Sequence, residues 1–172
     1  PNAALSQAGY WAWEANVAYV ANEARYYNYR SDLQDRLDAV QWDEHYLFYD
    51  ENIQQTGRST ATVELPDAAT MASYDTLWVD LSHLCDPTLR EFGNCDAWDA
   101  NNNLHLCDAD DPTVCNDLVS RWITTYHREG RWLVDASEAL PRLKEGGLQR
   151  FRYVGARGGH FNTTRLLFGN TG

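Results

Sequence analysis

The chain has 172 residues, 44% of them apolar and 13% aromatic, and its 25 acidic against 14 basic side chains give a formal net charge of −11. That length suits one domain able to bury roughly 70% of the surface its unfolded form exposes, and no run of about 18 apolar residues is present that would span a bilayer as a helix. The acid excess argues against nucleic acid as a partner, because affinity for phosphate backbones comes from clustered Lys and Arg.

Residues 1–41 stand apart, rich in Ala and aromatics with no Gly after Gly9. Trp11, Trp13, Ala15, Val17 and Tyr19 would share one face of a strand, whereas Trp13, Val17, Val20, Ala24 and Tyr27 recur at helical spacing. The segment exceeds ordinary strand length, so a helix over about 4–28 is expected. Ser31 is placed to cap a second helix through Val40, with Leu33, Leu37 and Val40 on one face. Trp11, Trp13 and Tyr19, with Tyr26, Tyr27 and Tyr29, make an apolar surface larger than a monomer usually exposes. It is expected to pack on the chain's own sheet, on a second copy or on a partner protein domain.

From Trp42 the apolar period becomes two. Strands are expected over Tyr46 to Tyr49, Ala61 to Leu65 and Leu77 to Leu81, with Asp50, Glu51 and Asn52 and then Thr56 and Gly57 as turn material after the first, and Pro66 and Asp67 closing the second. Further strands follow at Leu104 to Leu106, Leu118 to Tyr126, Trp132 to Val134, Gln149 to Val154 and Phe161 to Phe168. A short helical turn is expected after Asp135, ending before Gly146 and Gly147. About eight short strands with turns between them predict a mainly β, antiparallel jelly roll or β-sandwich over 42–172, carrying the 1–41 extension.

Four cysteines, Cys85, Cys95, Cys107 and Cys115, allow three pairings. None has Cys-x-x-Cys spacing, so disulfides in an oxidising compartment are expected rather than zinc. Nearest-neighbour pairing, Cys85 with Cys95 and Cys107 with Cys115, would staple two short loops. An extracellular, periplasmic or cell-surface location follows as the expectation. No basic-then-apolar leader opens the chain at Pro1, so a secreted protein is expected to be seen here in mature or trimmed form.

One stretch carries a family resemblance. It holds Cys85-Asp86-Pro87, Asn94-Cys95-Asp96-Ala97-Trp98-Asp99, and Ser120-Arg121-Trp122-Ile123-Thr124-Thr125-Tyr126. With Val134-Asp135-Ala136-Ser137 and Leu140 to Gly147, these resemble in order and spacing the first jelly-roll module of the peptide:N-glycosidase F family, over about residues 42–169. Members of that family cut the amide joining an N-glycan to asparagine. The resemblance implies a catalytic role for Asp99 and a sugar-stacking face for Trp98. The family's Arg after the aspartate is Ala100 here, and Arg150 to Arg157 contains no Asp or Glu where the family has a second acid. A further acid of the family belongs to a second jelly roll.

Other oxygen-rich residues, Asp96, Asp99, Asn101, Asp108 and Asp110, are candidates for an irregular calcium site, although an EF-hand loop is excluded by Leu104 at its glycine position. No other cofactor is expected. The five histidines are scattered, and His83, continuing the Leu77, Val79, Leu81 face, reads as a hydrogen-bonded core residue. Asn162-Thr163-Thr164 matches a glycosylation acceptor triplet. The expectation overall is a non-catalytic extracellular β-module acting in assembly or surface binding through its N-terminal extension. The alternative is a glycan-binding module, or one part of a glycoprotein amidase whose second domain is absent.

Overall fold

The computed structural model describes residues 26–27, 31–52, 57–85, 99–125, 129–155 and 160–172. Among these residues nine strands run in chain order: β1 (Tyr26–Tyr27), β2 (Asp43–Asn52), β3 (Arg58–Asp67), β4 (Thr76–Cys85), β5 (Asn101–Leu106), β6 (Asp117–Ile123), β7 (Gly130–Asp135), β8 (Gly146–Val154) and β9 (His160–Gly169). The helices are α1 (Ser31–Ala39), α2 (Ala68–Met71), a 3-10 turn at Ser137–Ala139 and α3 (Leu140–Leu143). They form a five-stranded sheet in the order β1-β7-β4-β9-β2 and a four-stranded sheet in the order β3-β8-β5-β6. Apart from β1, which lies parallel to β7, every pairing is antiparallel. The expected eight-stranded sandwich is therefore present.

Alternation along each strand decides which side chains meet between the sheets. Phe48, Leu77, Val79, Leu81, Trp132, Leu166 and Phe168 come from one sheet; Ala61, Leu65, Leu104, Val119, Trp122, Phe151 and Tyr153 come from the other. Among the described residues, none before Leu47 belongs to this central core. The helix expected over 4–28 lies outside the described residues except at its end, where Tyr26–Tyr27 pair with Gly130 and Arg131 as a strand. There the free edge of β7 offers backbone partners that outweigh a helical preference, which is weak beside tertiary pairing. Asp50, expected in a turn with Glu51 and Asn52, instead lies within β2 at φ 50°, where the pairing with β9 shifts register. A β-bulge absorbs it, and Asx residues tolerate that conformation.

The connections after β2, β4, β6 and β8 all leave from one end of the sandwich, because Asn52 pairs with Phe161, Cys85 with His160, Arg58 with Val154 and Asn101 with Ile123. Just beneath that end lies a buried polar and aromatic cluster. His83 is 1% exposed and touches Trp122, Trp132 and Tyr153 edge-on at ring separations of 5.6–5.9 Å. The Asn162 side-chain amide lies 3.2 Å from His83 Nε2, and Thr164 donates to Asn162 Oδ1 at 2.6 Å. The reading of His83 as a core histidine holds. Asn162 is fully buried, so the acceptor triplet it opens is closed to glycosylation in the folded chain.

Cys107 and Cys115 are joined, closing the turn after β5. Cys85 is also disulfide-bonded, while its expected partner Cys95 lies outside the described residues. No helix among those residues is long and apolar enough to cross a membrane.

Candidate binding cleft

Of the residues singled out from the sequence, Trp11, Trp13, Tyr19, Cys95, Asp96 and Trp98 lie outside the described residues. Asp99 is described and stands exposed just before β5. The backbone beside it is firmly held. Ala100 N donates to Thr124 Oγ1 at 2.9 Å, Thr124 N returns a bond to Ala100 O at 3.1 Å, and Asn102 Nδ2 donates to the same carbonyl at 2.8 Å. Asn102 Oδ1 in turn accepts from the buried Tyr153 hydroxyl. The Asp99 carboxylate has no hydrogen bond or ion pair among the described residues, so nothing described there orients it as a base.

The calcium candidates divide between the two ends of β5. Asp99 and Asn101 precede or open the strand, whereas Asp108 and Asp110 follow it, a separation of roughly 20 Å at strand rise. Asp108 Oδ1 accepts from the backbone N–H groups of Asp110 and Asp111 at 2.8 and 3.1 Å. That carboxylate closes its own turn. No group of three metal-ligating side chains occurs among the described residues.

A concavity lies on the outer face of the five-stranded sheet, at the end away from the Asp99 loops. Ser31 to Ala39 forms the expected helix, and its apolar side lies on the sheet. Leu37 packs with Leu133 and Leu167 in a small core separate from the central one, flanked by Trp42 and Trp78. Trp42 Nε1 donates to Leu37 O at 2.8 Å, which closes the helix end. Gly169 permits this arrangement, since a Cβ there would lie 2.6 Å from the Trp42 ring.

Between α1 and the sheet remains a cleft of about 420 Å³, lined among others by Leu33, Arg36, Trp42, Trp78, Asp135 and Ser137. Its volume falls in the usual range for small-molecule sites. Asp135 Oδ1 accepts from Ser137 N and Oγ at 3.0 and 2.7 Å, and Ser137 Oγ accepts from Leu77 N at 3.1 Å. The polar wall is thus held rigid by its own bonds. Arg36, in the last turn of α1, makes no hydrogen bond or ion pair among the described residues, so its guanidinium is available to a ligand. The cleft combines two indoles, a free cation and a fixed carboxylate. That set suits a ligand with both apolar faces and hydroxyl groups.

Next to Trp78 on this outer face, Asp80 is 5% exposed and bound by two arginines. Arg131 reaches it through Nε and Nη2, both at 2.8 Å, and Arg165 through Nε and Nη2 at 2.9 and 2.7 Å. Arg165 Nη1 also donates to Glu44 at 2.7 Å. Burial pulls the Arg165 pKa down, but the Asp80 hydrogen bond and charge, with Glu44 and Tyr46 behind them, outweigh it and raise it. This network ties β4, β7, β9 and β2 together across the sheet that floors the cleft.

Sequence reasoning missed the cleft. The available signal was Trp78, an indole on the side of β4 opposite Leu77, Val79 and Leu81, where a polar residue would be ordinary.

Neither a protein-family model nor a curated protein sequence matches the chain. Solved structures do. Recombinant peptide:N-glycanase F superposes with a TM-score of 0.60 at 14% identity over 75% of this chain and 42% of that one. A structure of this glycosylasparaginase from Flavobacterium meningosepticum gives 0.59 at 14% identity, covering 74% and 42%. A PNGF-II structure gives 0.56 at 13% identity, covering 74% and 34%. These likenesses show the fold. The chain spans less than half the length of each structure.

Proposed function

We propose that this chain is a non-catalytic, extracellular carbohydrate-binding β-sandwich whose N-terminal extension completes the binding cleft. The observation that carries the reading is the cleft of about 420 Å³ walled by Trp42 and Trp78 and edged by Arg36 and Asp135. Indole faces pack against the C–H faces of sugar rings, while the charged pair and Ser137 serve the hydroxyls. The likeness to a glycosylasparaginase, a protein that handles glycans, supports carbohydrate as the ligand class. Lack of catalysis rests on Asp99 being exposed without a described partner, on Ala100, and on a β8 strand that contains no acid. The Cys107–Cys115 bridge supports an oxidising location. Trp11, Trp13 and Tyr19, which precede α1 in the sequence, are the proposed contact for a partner protein or second copy.

Titrating the full chain with a panel of N-glycans and plant and bacterial oligosaccharides, read by intrinsic tryptophan fluorescence, tests the cleft. Saturable quenching that weakens at least tenfold in Trp78→Ala is expected. A panel with no response, or a Trp78→Ala variant that binds as the wild type does, would remove the proposal. The fold likeness supports a second reading, one module of a two-module amidase using Asp99. Glycan release from a denatured glycoprotein, with Asn converted to Asp and lost in Asp99→Ala, would establish it.

A further inference from the structure

Strand β2 forms one edge of the five-stranded sheet, and its middle breaks the alternation that governs the rest of the sandwich. Tyr46 stands opposite Arg165 and shares the outer face with it, where Arg165 reaches Asp80 and Glu44. Strict alternation would then turn Phe48 outward and Tyr49 into the core. Instead, Leu47 and Phe48 are both buried in the central core, and the register with β9 shifts between Tyr46 and Phe48. Tyr49 therefore emerges on the side of Tyr46, the two rings 5.7 Å apart and turned 71° to one another. A second register shift follows before Glu51, where Asp50 takes φ 50° and its N–H donates to Thr163 Oγ1 at 3.0 Å.

Folding gains little from this arrangement. Tyr49 is 76% exposed and Tyr46 47%, so neither buries much apolar surface, and a left-handed Asp is less favourable than an extended one. Protection of the sheet edge calls for charge, which Asp43, Glu44, Asp50 and Glu51 on the same strand already supply. Bulges re-aim side chains next to functional sites as well as at edges, and here they set one tyrosine against another in the open. Neither ring lines the cleft, and Tyr46 lies roughly 13 Å along the strand from Trp42. The chemistry around the rings selects a ligand. β2 has four acids and no Lys or Arg, and Arg165 opposite Tyr46 is bound to Asp80 and Glu44. The Asp50 carboxylate and the Tyr46 and Tyr49 hydroxyls make no hydrogen bond or ion pair among the described residues. Ionised carboxylates only accept hydrogen bonds.

We propose that Tyr46 and Tyr49 form a second carbohydrate site, at the β2 edge of the five-stranded sheet, for an uncharged polysaccharide. One ring offers a stacking face and the other, turned across it, a wall, so a pyranose seats its C–H face in the corner. The Asp50 carboxylate and the phenol oxygens accept from the sugar's hydroxyls. An acceptor rim beside apolar rings fits a ligand rich in O–H donors and repels an anionic one. A protein partner is the poorer fit, because interface cores are depleted in Asp and Glu, and two side chains fall far short of the about 800 Å² per partner that a stable interface buries. The site shares a ligand class with the Trp42 and Trp78 cleft but none of its residues, so it does not depend on that cleft being occupied.

Electrophoresis of the full chain in native gels cast with soluble hydroxyethylcellulose, xylan, galactomannan or polygalacturonate tests the site. Retardation by at least one of the neutral polymers and none by polygalacturonate is expected. Tyr49→Ala should raise the Kd about tenfold with an unchanged melting curve, since that side chain stands mostly in water, and Tyr46→Ala should act in the same direction. Tyr49→Phe should keep most of the affinity, because stacking needs the ring. Asp50→Gly, which adopts φ 50° without strain, should weaken binding severalfold while the fold stays intact. Binding that survives Trp78→Ala and falls in Tyr49→Ala belongs to this site. Binding that is lost in Trp78→Ala, or that Tyr49→Ala leaves as in the wild type, overturns the proposal. So does a wild type that no neutral polymer retards, retardation by polygalacturonate with the same Tyr49 dependence, or self-association in light scattering that Tyr49→Ala abolishes.

Discussion

Asp80 tests whether the sheet that floors the cleft is held by charge. Its carboxylate is 5% exposed and accepts four hydrogen bonds from Arg131 and Arg165. Asp80→Ala removes the shared anion and leaves two guanidiniums facing one another. Breaking a buried ion pair by deleting one partner typically costs ~3–5 kcal/mol, most of it from the charge left behind. Here the arginine side chains are 29% and 25% exposed, and Arg165 keeps Glu44, so water and that second acid recover part of the loss. The expected cost is therefore near the lower end, ~3 kcal/mol, or roughly 6–12 °C in melting temperature for a chain of this size. Urea unfolding followed by tryptophan fluorescence measures it. Asp80→Asn, which keeps the shape and one oxygen acceptor, should fall between wild type and Asp80→Ala. Replacing the three residues together, Asp80→Leu with Arg131→Met and Arg165→Met, should recover most of the stability, because the desolvation cost leaves with the charges. An Asp80→Ala midpoint corresponding to less than ~1 kcal/mol would show the network to be a solvated surface pair, and the reasoning would fail.

Burial, with the hydrogen bond and charge of Asp43, pushes the Tyr74 hydroxyl up to about 12. Its protonated form is favoured in the folded chain, so this contribution is complete below the unfolded value of 10.0 and is lost as pH rises through about 12. Tyrosinate absorbance should place the Tyr74 transition above that of exposed tyrosines, and its removal in Tyr74→Phe identifies it. Cys107 and Cys115 are separated by eight positions, so Cys107→Ser with Cys115→Ser should cost about 2.5 kcal/mol on the loop-entropy account. A denaturation midpoint unmoved by the double substitution would contradict it. Gly155→Ala should destabilise by ~1–3 kcal/mol, since its Cβ would stand 2.0 Å from Asn102 Oδ1 and 2.6 Å from the Tyr153 hydroxyl. Hydrogen exchange at the end of β8 should rise with it, whereas an unchanged melting curve would mean that Asn102 moves aside freely.

Much of the sandwich was legible because alternation is a local property. Leu77, Val79 and Leu81 announced one face of β4, and Ala61, Val63 and Leu65 one face of β3, with no knowledge of the partner strands. The N-terminal strand was not legible, because Tyr26–Tyr27 are strand only by virtue of an open edge on β7, more than a hundred residues later. Nor was the run from Asp50 to Asn52, whose turn-forming residues are absorbed by a bulge opposite β9. In both cases a long-range partner decided between local conformations of similar energy.

The sites divide in the same way. Asp99 was identified by a motif, which is contiguous in sequence, yet the carboxylate stands exposed beside a tightly bonded backbone and lacks a described partner to act with. The cleft joins Arg36 and Trp42 to Trp78 and Asp135, so its members come from four separate elements and leave no motif.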